Sequence, residues 1–105
     1  MTRAIVLHTA DNVATLLADG QSGELCTLEG EAEGTLPLAG DVRFGHKVAL
    51  ADIAAGDKVI KYGAPIGGAT QAIAAGRHVH VHNVTSHYGI AEPEARMVAK
   101  TLMWL

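Results

Sequence analysis

What this chain can fold into is limited first by its glycines, twelve in 105 residues. Gly40, Gly45, Gly56, Gly63, Gly67, Gly68 and Gly76 cut the middle of the sequence into segments too short for most helices. One Trp, one Phe and two Tyr accompany them, so a core has to be built from Val, Ile, Leu and Ala. Short strands joined by tight turns meet both conditions. Hydrophobic residues at 49% are enough for one core, and the length is that of a single domain spanning 1–105.

The run from Arg3 to His8 is apolar with β-branched members and predicts a strand buried on both faces. Asp11 and Asn12 are residue types that cap helices, and they precede Val13 to Ala18 with Gly20 as a stop, which predicts a short helix there. Leu25, Thr27 and Leu28 fit a weak strand. Lys47 to Leu50 and Lys58 to Tyr62 read as strands, Ala51 to Ala55 and Ala69 to Ala75 as single helical turns, and Gly63 to Gly68 as a turn between strands. His78 to Val84 alternates strictly, so it predicts a strand with His78, His80 and His82 on one face. Pro93 and Glu94 suit a helix start, which places a terminal helix over Glu92 to Trp104. The pair 46–50 and 57–61 is too loosely similar to count as a repeat.

Eight Lys and Arg against eleven Asp and Glu give a net charge of -3, with no basic excess to neutralise phosphates. Nucleic acid is therefore not an expected partner. No apolar run is long enough to span a bilayer, and the start of the chain is too short for a signal peptide, so no membrane partner is expected either. A single cysteine, Cys26, suits a reducing compartment, and the expected location is the cytoplasm. The apolar end, Leu102 to Leu105, predicts a homo-oligomer or a larger partner.

Chemistry is suggested by the six histidines. Two imidazoles at i and i+2 on a strand present both rings to one ion, which makes His80 and His82 candidate metal ligands. The competing reading is a solvent-facing strand, and no spacing identifies a third ligand. His8, at a strand end, suits an anion next to free backbone N–H groups, or else a core imidazole bonded to a carbonyl. His46 and Lys47 fit an exposed turn, and Cys26, with no activating neighbour, an idle buried thiol. The glycines of 63–68 lack the Lys-Ser or Lys-Thr of a phosphate loop.

Taken together, the motifs from His8 to Thr15, Gly45 to Leu50, Gly56 to Gly63, Ile66-Gly67, Gly76 and Val79 to Asn83 resemble the SAF domain of the altronate and galactarate dehydratases. The likeness runs from about residue 4 to 84 in the family's order, and only Thr9-Ala10, where proline is expected, departs from it. It implies a mainly β fold, the β-clip of short bent strands, with short helices and a C-terminal helix. The activity implied is a hydro-lyase in which this chain is the small subunit beside a large catalytic one. That enzyme removes water from a 2,3-dihydroxy sugar acid to give a 2-keto-3-deoxy acid, with iron(II) or manganese(II) as cofactor. A related small subunit serves a sulfolactate sulfo-lyase, and a non-catalytic sugar-acid-binding module is the third possibility. Carried over by motif, His80, His82 and His8 are the expected catalytic residues, and His80 and His82 the metal ligands. His46, Lys47, Asn83, Asp11 and Asn12 are the residues expected to bind substrate.

Overall fold

The computed structural model describes residues 1–86, so the expected helix over 92–104 and His87 lie outside the described residues. Nine strands follow one another: β1 (Thr2–Val6), β2 (Val13–Leu16), β3 (Leu25–Gly30), β4 (Thr35–Pro37), β5 (Lys47–Ala49), β6 (Lys58–Lys61), β7 (Ala64–Ala69), β8 (His78–Val79) and β9 (Val84–Thr85). They form a six-stranded sheet in the order β4-β3-β1-β2-β5-β8 and a three-stranded sheet in the order β6-β7-β9. Only the β1–β3 pair runs parallel. The mainly β expectation therefore holds, and no helix occurs among the described residues.

Several local expectations need correcting. Val13 to Ala18 does not form a helix: Val13–Leu16 pairs with β1 on one side and β5 on the other, with Ala4 opposite Leu16 and Val13 opposite Ala49. Val13 and Thr15 are β-branched and fit a pleated surface, and the two-sided ladder outweighs the weak helical pattern. β1 is buried on one face only: Thr2, Ala4 and Val6 point inward while Arg3 is exposed. Gly63 to Gly68 is not a loop, since β7 begins at Ala64 and only Tyr62 and Gly63 turn the chain.

The expected helical turns at 51–55 and 69–75 are instead copies of one device. Gln21–Glu24, Arg43–His46, Ala54–Asp57 and Ala74–Arg77 each close a turn by a hydrogen bond from the fourth residue's N–H to the first residue's carbonyl, at 3.0–3.1 Å. The third residue is Gly23, Gly45, Gly56 or Gly76, each at a φ between 82° and 89°, a conformation that favours glycine. The residue before each turn pairs with another of the set, Gly20 with Val42 and Ile53 with Ile73. A strand follows each turn and buries Cys26, Val48, Val59 or Val79. The sequence hid this repeat because only the glycine and one apolar residue on each side are held by the geometry.

Two apolar clusters result. One gathers Ala4, Val6, Leu16, Cys26, Leu38, Val42 and Val48; the other joins Val13, Ala49, Ile53, Val59, Ile73 and Val79. Strand β5 contributes to both, sending Val48 to the first and Ala49 to the second. The same alternation fixes which way His46 and Lys47 face.

Candidate functional site

The site grows from the register of the β5–β8 pair, at the edge of the larger sheet. Lys47 lies opposite Val79 and Val48 opposite His78, so continuing the antiparallel register by one residue sets His46 opposite His80. Directly opposed residues on one face touch, and the His46 and His80 rings stack with centroids 3.9 Å apart and planes 15° from parallel. Along the diagonal, His46 Nδ1 and His78 Nε2 are 2.8 Å apart, a hydrogen bond in which the tautomer decides which ring donates. One nitrogen from each of His46, His78 and His80 falls within 4.8 Å of the others.

The chain does not continue as a strand through His82. It leaves β8 after Val79 and turns, with the Asn83 N–H donating to the His80 carbonyl at 3.1 Å. Asn83, 4% exposed, fastens this turn with its side chain. Its Oδ1 accepts the His80 N–H and its Nδ2 donates to the His78 carbonyl, both at 2.9 Å. The alternating pattern had put His78, His80 and His82 on one strand face; the turn instead brings His46, His78 and His80 together and leaves His82 against His78, ring centroids 5.0 Å apart.

Burial and neighbouring groups disfavour the charged form of two of these rings, His78 and His80. The His78 pKa is pulled down from 6.5 to about 4, first by desolvation and then by His82, His46, His80 and Lys47. His80 is lowered by the same kinds of cause, desolvation first. His80 Nδ1 is buried and has no hydrogen-bond partner. An imidazole with a spare buried nitrogen can take a proton or a metal, and a site of three protein ligands leaves a position open for a substrate. The donor set fits a divalent transition metal on two grounds, the orphaned Nδ1 and three converging imidazole nitrogens; the near-parallel rings would have to fan apart to aim at one ion.

Lys47 stands on the opposite face of β5 from His46. Its ammonium is lowered in pKa by burial and then by Lys61, and neither lysine has an ion pair among the described residues. Two cations close enough to feel each other suit an anion.

The other residues singled out in the sequence serve the second sheet. Asp11 does not cap a helix: its two carboxylate oxygens accept the N–H groups of Tyr62 at 3.1 Å and Gly63 at 2.8 Å. Asn12 accepts from the Ile60 N–H at 2.8 Å and donates to the Lys58 carbonyl at 2.9 Å. Both side chains thus fasten the β6–β7 hairpin to the larger sheet. His8 Nδ1 accepts the Ala10 N–H at 3.0 Å, and the ring lies over Gly63, where a Cβ would come within 2.8 Å of it. No hydrogen bond or ring contact links His8, Asp11 or Asn12 to the histidine cluster among the described residues. Cys26 is a free buried thiol whose pKa is raised, mainly by desolvation. No helix of the described residues is long and apolar enough to cross a membrane.

His78 and Lys61 were not picked out as site residues from the sequence. His78 was visible as a member of the alternating run, but nothing local paired it with His46, 32 positions away.

Comparison with known proteins completes the description. Residues 2–87 match the family described as "Altronate/galactarate dehydratase SAF domain". An altronate dehydratase of Escherichia coli is 49% identical over 83 residues, which is 79% of this chain and 16% of that protein. One from Bacillus subtilis is 40% identical over 87 residues, 83% of this chain and 17% of that protein. The chain therefore spans about a sixth of the length of these two relatives. The (2R)-sulfolactate sulfo-lyase subunit alpha of Chromohalobacter salexigens is 36% identical over 95 residues, covering 80% of this chain and 95% of that subunit.

Proposed function

The chain belongs to the family of the altronate/galactarate dehydratase SAF domain, and from that premise we propose that it supplies one wall of a lyase active site acting on a 2-hydroxy acid. The larger catalytic part comes from another chain or domain. The reaction is the altronate-dehydratase type: a proton leaves the carbon next to the carboxylate, hydroxide leaves the neighbouring carbon, and the enol becomes a 2-keto-3-deoxy acid. The observation that carries this reading is the convergence of His46, His78 and His80, with one buried nitrogen, His80 Nδ1, unpartnered.

In this reading His46, His78 and His80 hold iron(II) or manganese(II), which supplies a Lewis acid for the leaving hydroxyl. Lys47, with Lys61 near enough to lower its pKa, offers an anion contact on the other face of β5 from His46. His82 leans on His78 without joining the converging nitrogens and is the candidate general base. Asn83 positions His78 and His80 through their backbones. His8, Asp11 and Asn12 act through the hairpin they fasten.

A second reading is favoured by size. The match covers 95% of a sulfolactate sulfo-lyase subunit alpha, against about a sixth of the altronate dehydratases. There the leaving group is sulfite instead of hydroxide, and the proton transfer is alike.

The test is a reconstitution. This chain, a large dehydratase or sulfo-lyase chain, and their mixture are assayed with ferrous or manganous ion for altronate dehydration and for sulfite release from (2R)-sulfolactate. Activity only in the mixture, lost with His46→Ala and His80→Ala, supports the lyase reading, and the active substrate selects between its two forms. Unchanged activity without this chain reduces it to a binding module.

A further inference from the structure

Beside His78 lies a cleft of about 460 Å³, lined among others by Asp41, Gln71, Arg77, His78, His82 and Asn83 but not by His46. That is the size range of small-ligand sites. Its charge is lopsided. Arg77 spends one N–H on the Ala39 carbonyl, Nη1 to O at 2.9 Å, and makes no ion pair among the described residues. Asp41, the one carboxylate in the lining, has its Oδ1 turned to the Ser22 N–H at 2.9 Å. The Arg77 side chain lies along Gly40, with Nη1 3.5 Å and Cδ 3.9 Å from where a Cβ would stand. The anchored Nη1 leaves the opposite edge of the guanidinium, Nε and Nη2, for a two-pronged contact with a carboxylate or sulfonate.

The placement matters because His78 belongs to two neighbourhoods. Its Nε2 meets His46 in the converging trio, and the same residue lines the cleft beside Arg77. Lys47 and Lys61 do not line the cleft. A ligand held at the trio and reaching past His78 therefore meets the Arg77 guanidinium.

We propose that the cleft beside His78 receives a second anionic group of the substrate, with Arg77 as the residue that recognises it, so that this chain favours dianionic hydroxy acids over monoanionic ones. The inference rests on the lyase reading above and narrows its substrate class. An aldaric acid carries its second charge as a carboxylate, and a sulfonated hydroxy acid carries it as a sulfonate; the guanidinium edge suits either.

The experiment is a set of binding titrations on the full chain, followed by side-chain NMR of arginine and histidine, using galactarate, (2R)-sulfolactate and the monoanion altronate as probes. The expected result is binding of one or both dianions at least about tenfold tighter than altronate, with the Arg77 Nε–H signal shifted. Arg77→Gln is expected to bring the dianion down to the altronate level and leave altronate unchanged, while Arg77→Lys restores only part of the preference. The probe that shifts Arg77 distinguishes carboxylate from sulfonate. Equal affinities in the unaltered chain, or a dianion preference that survives Arg77→Gln, would overturn the inference while leaving the lyase reading intact. Failure of all three acids to bind, both to the chain alone and to its mixture with the large chain, would overturn both. Unchanged backbone spectra in the variants confirm that the fold is kept.

Discussion

His46 closes a turn and His78 opens β8 32 positions later, and their ring nitrogens meet at 2.8 Å because β5 and β8 pair antiparallel with Val48 opposite His78. The pair is the centre of the site: His80 stacks on one ring and His82 leans on the other. Each of the following expectations tests one part of that arrangement.

Metal affinity separates the histidines that converge from the one that does not. His46→Ala and His80→Ala are expected to weaken manganese or zinc binding on the order of tenfold or more, since each removes a donor nitrogen. His82→Ala is expected to change it little. Isothermal titration calorimetry on the isolated chain measures this without reference to turnover.

Asn83 is a positioning residue, so its loss should act on stability and on the site together. Asn83→Ala strips the partners from the His80 N–H and the His78 carbonyl, and unsatisfied buried groups of this kind cost about 1–3 kcal/mol. Urea denaturation checks the cost. Metal affinity should fall in the same variant, although Asn83 contributes no ligand atom to the trio.

Asp11 and Gly63 test the attachment of the second sheet. Asp11→Ala removes two charge-assisted acceptors from the Tyr62–Gly63 turn and is expected to cost a few kcal/mol, at about 1.5–3 for each bond. Gly63→Ala is expected to destabilise for a different reason. Gly63 sits at φ 74°, where a side chain is strained, and its Cβ would press on the His8 ring. His8→Ala should relieve the second cost and leave the first, which a double-mutant cycle in urea resolves.

Acidification should weaken the fold through His78. Its folded pKa is about 4, below the ordinary 6.5, so between those values the unfolded chain binds the extra proton. Stability from this group is therefore full above about pH 6.5, falls as the pH drops towards 4, and levels off below. Urea midpoints between pH 7 and pH 4 should decline, and less steeply in His78→Gln. The histidine titration itself is read by NMR.

How much of this was legible in the sequence depends on distance along the chain. The glycine spacing announced short strands and turns, and the hydrophobic alternation placed β1, β3, β5 and β6 close to where they lie. Val13 to Leu16 misled because a cap-like Asp11-Asn12 precedes it, yet those side chains bond a hairpin around fifty positions later. The four matching turns were also concealed, since a turn constrains few side chains and its partners lie elsewhere in the sequence.

The sequence by itself determined the class of fold, an all-aliphatic core, and the supply of histidines near residue 80, because periodicity and glycine conformation act locally. Its motifs also sufficed to indicate the family. Only the tertiary structure decided which histidines form the site. Asn83 bends the chain away after Val79, so His82 leaves the face its alternation promised. The β5–β8 register then brings in His46, and burial lowers the pKa of His78 and His80. Register and desolvation belong to contacts between distant segments, and no local pattern encodes them.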